Sequence, residues 1–551
     1  FLSQKPVNPK SHKQAKSFGM GVAEGFIEDV EYYAERVLER SRPILEPFYP
    51  EYFVTAETAS GRPDLNGLVG KKMKVMGWLW ARTVKCSNPA CGCRIPLVGS
   101  FWLSQKLGRR YWLEPVVDHT NKTVTFRINR GAGEAPPATK LPGTGGTFKC
   151  PACKEDSDDN YVENEGSKGR IGAQMMAVIA DGGRSLGRVY LPATPEHEQT
   201  ALSAKPPWRP DMPMPPYSQA MPTAQHGVLV WADLFTNRQL LTLCTLSEHV
   251  RAVHAEVKRD AIAARLASDD KPLDDGGTGA HAYADAIVTF LALVLGKFVN
   301  RCCAFSFWHT GGEKIEQPFA QQGIQKTWDY IESNPFCDSS GSWLKAVEYP
   351  VKVVKEVYPD IKPGRVIRQQ VAEAGKIQRK VMVITDPPYY DNMGYADLSD
   401  FFYIWLRRAL KDVYPSAFST VLTPKAEELA AVKHRFGGDR KKAEAFFVSG
   451  FQDAFRVLAD IQHDDYPMCV FYAYKQKETR KGEMEASTGW ETMLRGLIDA
   501  GLCVTGTWPM LSESTDTIKK SKGSLSTSIV LVCRKRPTNA VVVSKGQFLA
   551  A

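Results

Sequence analysis

Apolar positions along the chain recur with two periods. In residues 23–46, Phe26, Val30, Tyr33 and Val37 fall at helical spacing, which predicts an amphipathic helix ended by Pro43 and Pro47. Helical stretches are predicted at about 236–268 and 281–303, divided by a polar linker from Ser268 to Gly279. Strand-like runs occupy Lys74–Thr83, Tyr111–Val117 and Thr123–Asn129. Residues 205–225 are rich in Pro and Met and predict an extended segment. Beyond residue 351 strands and helices alternate. Strands are predicted at Gly364–Gln370, Val381–Thr385, Pro467–Tyr474, Cys503–Trp508 and Ser526–Cys533, and helices at 399–412, 441–461 and 489–501. Such alternation predicts an α/β unit with a parallel-type sheet.

Within that unit the run Val381–Thr385 is apolar and largely β-branched, and it stops at Asp386-Pro387-Pro388-Tyr389-Tyr390-Asp391-Asn392. Two prolines cannot continue a strand, so the chain must leave the sheet at Asp386. A carboxylate and an aromatic ring then stand at a strand's C-terminal end, where open α/β sheets bind ligands. The plain alternative is a strand followed by a Pro-Pro turn. The chemistry that uses these groups is methylation of a weakly nucleophilic amine. The amino group of adenine is conjugated with its ring. Acceptors on its N–H groups, here Asp386 and the Pro387 carbonyl, orient it and favour the tetrahedral nitrogen that attacks a methyl sulfonium. Tyr389 can stack on a base swung out of the duplex, with Tyr390 and Asn392 shaping the pocket.

Composition changes this picture in three ways. The 551 residues, 43% of them hydrophobic, suffice for two or three domains with cores of their own. No apolar run approaches the ~20 residues needed to cross a bilayer, and no secretory signal opens the sequence, so a cytoplasmic protein is expected. A net charge of +9 suits a polyanion partner. Four of the 12 cysteines form two pairs, Cys86-x4-Cys91 and Cys150-x2-Cys153, each on a knuckle-like turn. Paired cysteines on two tight turns supply the four soft ligands of a tetrahedral zinc site with no open position, hence a structural one. Cys93 competes with Cys91 for a place in it. Between the pairs, Lys106, Arg109 and Arg110 interleave with Trp102, Tyr111 and Trp112; they read either as a DNA contact or as a solvated hairpin.

The stretch DPPYYDNMGYADLSDFFYIWL (Asp386–Leu406) closely resembles the zinc-ribbon-containing adenine-specific DNA methylases. WADLFTNRQLL (Trp231–Leu241), WHTGGEKIEQPFA (Trp308–Ala320) and the tail GTWPMLSES…SIVLVCRKR are similar to the same family. Together they cover most of the chain from about Lys5 to Arg536, and Cys91 rather than Cys93 fits the family's Cys-x4-Cys form. The resemblance implies an S-adenosylmethionine-dependent methyltransferase acting on double-stranded DNA, in a restriction-like or phage-defence setting with other defence proteins as partners. It implies a Rossmann-like methyltransferase sheet closed by an antiparallel terminal hairpin, with an inserted zinc-ribbon β domain and a helical region. The expected divisions are residues 1–65 as a helical segment continuing the methyltransferase domain, 66–180 as the zinc-ribbon insert, 181–350 as a helical region for target recognition, and 351–540 as the catalytic domain.

The family also carries a glycine-rich cofactor motif of the Phe-x-Gly-x-Gly type ahead of the stretch like KPVNPK (Lys5–Lys10), and no such motif occurs in this sequence. The first, cofactor-binding part of the sheet is therefore expected on an upstream fragment. This departure keeps a second reading open, a non-catalytic DNA-binding subunit of a split methylase or defence complex. Methylation of cytosine's amine or of RNA is a further alternative. His309 is expected to be structural or DNA-facing, and Lys519, Lys520 and Lys522 are a second candidate DNA contact.

Overall fold

The computed structural model describes the chain apart from residues 2–4, 14–22, 144, 217–220, 322, 357–363, 365, 377–379, 389–393, 474–476, 479–483, 486–487, 511–527, 538 and 541–551. The chain is mixed α/β and divides into two compact units. Unit 1 comprises Phe1–Pro363 with Leu398–Thr423, and unit 2 comprises Gly364–Asp397 with Pro424–Ala551. The expected boundaries at 65 and 180 thus fall inside unit 1, and the one at 180 cuts through a strand, Gly172–Asp181.

Unit 1 is built on the strand Val75–Lys85, whose sequence VMGWLWARTVK is buried almost throughout. Residues buried on both faces of a strand need cover on both sides. Gly172–Asp181 and Asp329–Ser333 flank it, both antiparallel, and Arg188–Pro192 continues the sheet beyond Gly172–Asp181. Arg94–Leu97 pairs with its last residues. Gly77 permits the close approach of Asp329–Ser333, because a Cβ there would lie 2.9 Å from the Glu332 carbonyl oxygen. A three-stranded antiparallel sheet, Trp102–Ser104, Tyr111–Asp118 and Thr123–Arg130, covers one side. Its Leu103, Leu113 and Ile128 share a core with Met176, Ile179 and Tyr190.

The helices Glu24–Leu45, Asn237–Ala263, Ala280–Val299 and Trp343–Lys355 pack on one another in the same unit. Pro43 lies inside the first of these and does not end it. Asn237–Ala263 starts at a capping box, where Thr236 Oγ1 accepts from Gln239 N–H and Gln239 Oε1 accepts from Thr236 N–H. Asp29 is fully buried and accepts from Val7, Asn8 and the Tyr283 hydroxyl, which ties the N-terminal segment to two helices. Ala280–Val299, at 20 residues, is long and apolar enough to cross a membrane, contrary to the sequence reading, but 72% of its most apolar window is buried within the protein. Packing on neighbouring helices accounts for its composition. Within the stretch Trp308–Ala320 lies most of a small hairpin, Phe307–His309 with Lys314–Glu316.

Unit 2 holds a four-stranded sheet. Ile384–Thr385 lies at one edge and runs parallel to Met468–Ala473. Ser528–Lys535 follows, antiparallel to it, and Leu502–Met510 forms the other edge, antiparallel again. The helix Arg440–Ile461 connects the parallel pair, and Thr488–Asp499 precedes the last two strands. Phe447, Phe451 and Phe455 form one stripe of Arg440–Ile461 and meet Met468, Val470, Met493 and Leu497 in the core. The sheet is thus mixed: Ile384–Thr385 pairs in parallel, with a further parallel bridge from Val381 to Gln462, and the last two strands form the expected antiparallel terminal hairpin. The strand expected at Gly364–Gln370 is absent from its described residues, which are irregular and lead into a short 3-10 helix, Val371–Lys376.

Candidate metal centre and candidate active site

The four cysteines singled out by spacing come together in unit 1. Cys86 follows the end of Val75–Lys85, and its N–H donates to the Cys93 carbonyl at 2.8 Å. The chain between them turns on Asn88, whose carbonyl accepts from Cys91 N–H at 3.1 Å, and on Gly92 with φ +64°. The second knuckle closes through Cys150 N–H to the Glu155 carbonyl, 2.8 Å, with Lys154 at φ +66°. Cys86 Sγ and Cys153 Sγ are 3.6 Å apart, Cys91 Sγ and Cys150 Sγ 3.8 Å apart, and all four sulfurs lie within 4.8 Å of one another.

These separations are too long for disulfides, whose S–S length is ~2.05 Å. They match the ~3.8 Å edge of a sulfur tetrahedron with Zn–S of ~2.3 Å. Burial pushes the Cys86 and Cys150 thiols up. Cys93 stays outside the cluster, buried beside Ile95 and Val84, with its thiol pushed up to about 12, first by burial. The residues thus fit a closed metal site of Cys86, Cys91, Cys150 and Cys153.

In unit 2 the segment ending at Asp386 is held by backbone pairing and one buried amide. Val381 N–H donates to the Ile461 carbonyl, and Cys469 N–H donates to the Val383 carbonyl. Gln462 is 1% exposed; its Oε1 accepts from Val383 N–H at 3.1 Å and its Nε2 donates to the Tyr466 carbonyl at 2.6 Å. Only Ile384 and Thr385 form ladder pairs, so the strand is shorter than the expected Val381–Thr385. Asp386 follows directly and is exposed, while Pro387 and Pro388 are half-buried. Tyr389, Tyr390 and Asn392 lie outside the described residues.

The chain is fixed again at Gly394–Asp397. Glu428 Oε1 accepts from Ala396 N–H at 3.0 Å and Glu428 pairs with Arg435 at 2.6 Å. Asp397, buried, faces His434 at 3.3 Å and Arg435 at 3.1 Å. Burial opposes its charge, but His434 and Arg435 outweigh burial and hold the carboxyl below its ordinary value. Burial, then the charges of Asp386 and Glu428, raise the Tyr395 phenol. The bracket of Asp397, Glu428, His434 and Arg435 carried no signal in the sequence, since its partners are about 30 residues apart with no motif.

The basic residues near the first knuckle are used inside the fold. Lys106 pairs with the buried Glu313 at 2.7 Å, Arg109 donates to the Leu186 and Arg188 carbonyls, and Arg110 pairs with Glu134. His309 Nδ1 accepts from Gly312 N–H at 2.8 Å and closes the turn between two strands, a structural role. Lys519, Lys520 and Lys522 lie outside the described residues. The sequence reading also passed over a cavity of about 400 Å³ in unit 1, lined by Trp80, Arg82, Thr223, His226, Lys326 and Tyr330 among others. Neither Asp386 nor its two prolines lines it. Comparison with protein-family models, curated proteins and solved structures finds no match for the chain.

Proposed function

We propose that the chain is the catalytic part of a DNA adenine methyltransferase, with Asp386 accepting from the target amine. The observation that carries this reading is the placement of Asp386 in unit 2. The Asp-Pro-Pro step directly follows an edge strand that runs parallel to its neighbour, and that neighbour is followed in the sheet by an antiparallel terminal hairpin. An exposed carboxylate at a strand's C-terminal end stands where such sheets take ligands. In the proposal Asp386 and the Pro387 carbonyl orient the amine, Tyr389 stacks on the extruded base, and Tyr390 and Asn392 shape the pocket. S-adenosylmethionine, when bound, supplies the methyl group. No cofactor contact is assigned to a residue of this chain, and an upstream fragment carrying the glycine-rich motif is the proposed source of that half of the site. The four cysteines hold a structural zinc ion. The alternative, a DNA-binding subunit without catalysis, is favoured by the missing motif alone.

The test is mass spectrometry of DNA nucleosides after expression of the complete gene, carrying either Asp386 or Asp386→Asn. N6-methyladenine present with Asp386 and reduced at least a hundredfold with Asn supports the reading. Equal methylation in both refutes Asp386 as the amine acceptor, and its absence from both, with DNA still bound, favours the non-catalytic subunit.

A further inference from the structure

The cavity in unit 1 has walls that the packing of the unit does not explain. Trp80 and Tyr330 pair across adjacent strands with ring planes 4° apart, both almost fully buried. Beside them the Arg82 guanidinium lies between the rings of Phe305 and Tyr330, 4.7 and 5.0 Å from their centroids. Opposite stands a turn, Pro222–His226, locked on the helix Asp159–Ser167. Gly227 has φ +80°, and a Cβ on it would sit 2.1 Å from the Gly166 carbonyl oxygen. The turn places Thr223 and His226 on the cavity wall. Lys326 Nζ lies 4.0 Å above the Trp328 ring and contacts both His226 Nε2 and Asp159 Oδ1.

Three buried polar atoms on this wall have no hydrogen-bond partner: Trp80 Nε1, Thr223 Oγ1 and His226 Nδ1. Trp80 and Thr223 are each 2% exposed. Buried polar groups are seldom left unpaired, because each costs ~1–3 kcal/mol. All three belong to residues that line the cavity. The acids nearby are already used: Glu332 on Arg238, Asp233 on the N–H groups of Leu229 and Val230, Asp159 on Lys326. Arg209 pairs with Asp211 at 3.6 Å, so Arg82, without a salt bridge among the described residues, carries the uncompensated positive charge of the lining. Asp159, Glu163 and His226 are close enough to suggest a cation site, but Lys326 already places an ammonium there.

We propose that this cavity binds a nucleobase carrying a phosphate. Aromatic planes and an arginine held flat among rings suit a base, which stacks on such surfaces whatever its identity. The Thr223 and His226 side chains on the wall suit a base edge, and Arg82 and Lys326 suit the phosphate. The volume of about 400 Å³ lies in the ~300–1,000 Å³ range of small-ligand sites. The source is either a free mononucleotide or one residue of a single strand. The inference concerns unit 1 and does not depend on methyl transfer.

The probes are dAMP, deoxyadenosine and a single-stranded dA 12-mer, titrated into the full chain by calorimetry. Saturable dAMP binding is expected. Thr223→Val, which removes the hydroxyl and keeps the volume, should weaken it about tenfold. Lys326→Gln should weaken dAMP about tenfold and leave deoxyadenosine within about twofold. A 12-mer that displaces dAMP assigns the site to nucleic acid, and dAMP binding that the 12-mer leaves untouched assigns it to free nucleotide; each upholds the proposal. Both substitutions lie outside the unit that carries Asp386, so a loss of affinity locates binding in this cavity. The proposal is overturned by no saturable binding of dAMP or 12-mer. It is equally overturned by unchanged affinity in both variants with thermal unfolding like the parent's.

Discussion

Replacing Glu332 by Gln tests what joins the sheet of unit 1 to its helices. Arg238, at the start of Asn237–Ala263, is 0% exposed and Glu332 1%. The guanidinium lies 4.1 Å from the Trp78 ring centroid and 5.0 Å from that of Tyr49, donates to the Phe48 carbonyl at 2.9 Å and pairs with Glu332. Glu332 also accepts from the Thr236 hydroxyl, next to the capping box of the same helix. Desolvating both ions offsets much of their attraction, so the intact pair adds little net stability. Removing one partner is different, because a charge stays buried without compensation. Glu332→Gln keeps the shape and is expected to cost ~3 kcal/mol, within the ~3–5 kcal/mol typical of broken buried pairs. Arg238→Met should cost a similar amount. The double variant should recover at least ~2 kcal/mol relative to the sum, since neither charge then remains. Urea unfolding followed by tryptophan emission reads all four corners of the cycle. A single variant within ~1 kcal/mol of the parent, or costs that add within ~0.5 kcal/mol, would refute the argument.

Other consequences follow from single sites. Cys150→Ser/Cys153→Ser should lower bound zinc by about one equivalent per chain in metal analysis; full retention would refute the ligand set. His197 is 4% exposed, and its Nδ1 accepts from Trp78 Nε1–H at 2.9 Å. Burial, then the charge of Arg238, lowers its pKa from 6.5 to about 4. The folded ring refuses a proton that the unfolded chain takes up below pH 6.5, so stability should fall by ~3 kcal/mol between pH 6.5 and 4 and level off below. His197→Asn, which keeps an acceptor but does not titrate, should flatten that part of the profile in pH-dependent unfolding; parallel profiles would count against it. Gly227→Ala should cost at least ~1 kcal/mol, from the φ of +80° and the clash with the Gly166 carbonyl; an unchanged melting temperature would show that the turn is free to move.

What the sequence made legible is local. The knuckles KCSNPAC and KCPAC state their turns and ligands within a few residues, and the structure brings those four sulfurs together while leaving Cys93 out. The stripe of Phe447, Phe451 and Phe455 was readable for the same reason, since a helix repeats its own period. Pairings that close over long distances were not. Gly77 meets Ser333, and the strands Gly172–Asp181 and Arg188–Pro192 escaped because their partners carry no local sign. Gly364–Gln370 misled in the opposite sense. Its Val366-Ile367 pair reads as part of a strand, but Val366 is 99% exposed and pairs with no strand among the described residues.

The four-cysteine cluster and the cavity share structural parts, and that yields a final prediction. Val75–Lys85 carries Trp80 and Arg82 into the cavity wall and delivers Cys86 one residue past its end. Trp328, under Lys326, packs edge-on against Phe148 at 4.8 Å, and Phe148 lies two residues before Cys150. Val84, Cys86, Cys150, Phe148 and Trp328 belong to one buried cluster. A cluster this small has few apolar contacts of its own, so zinc bound by four thiolates would supply much of its folding free energy. Extracting the metal should loosen Phe148, free Trp328, and with it shift Lys326 and His226. Coupling between two sites is typically worth ~1–3 kcal/mol, and it is reciprocal. Chelation should therefore weaken dAMP binding at least about fivefold, and saturating dAMP should slow zinc loss to a chromogenic chelator. Calorimetry on metal-depleted chain reads the first and absorbance the second. An unchanged dAMP affinity after complete metal loss would mean that the strand holds the cavity without help from its cysteine end.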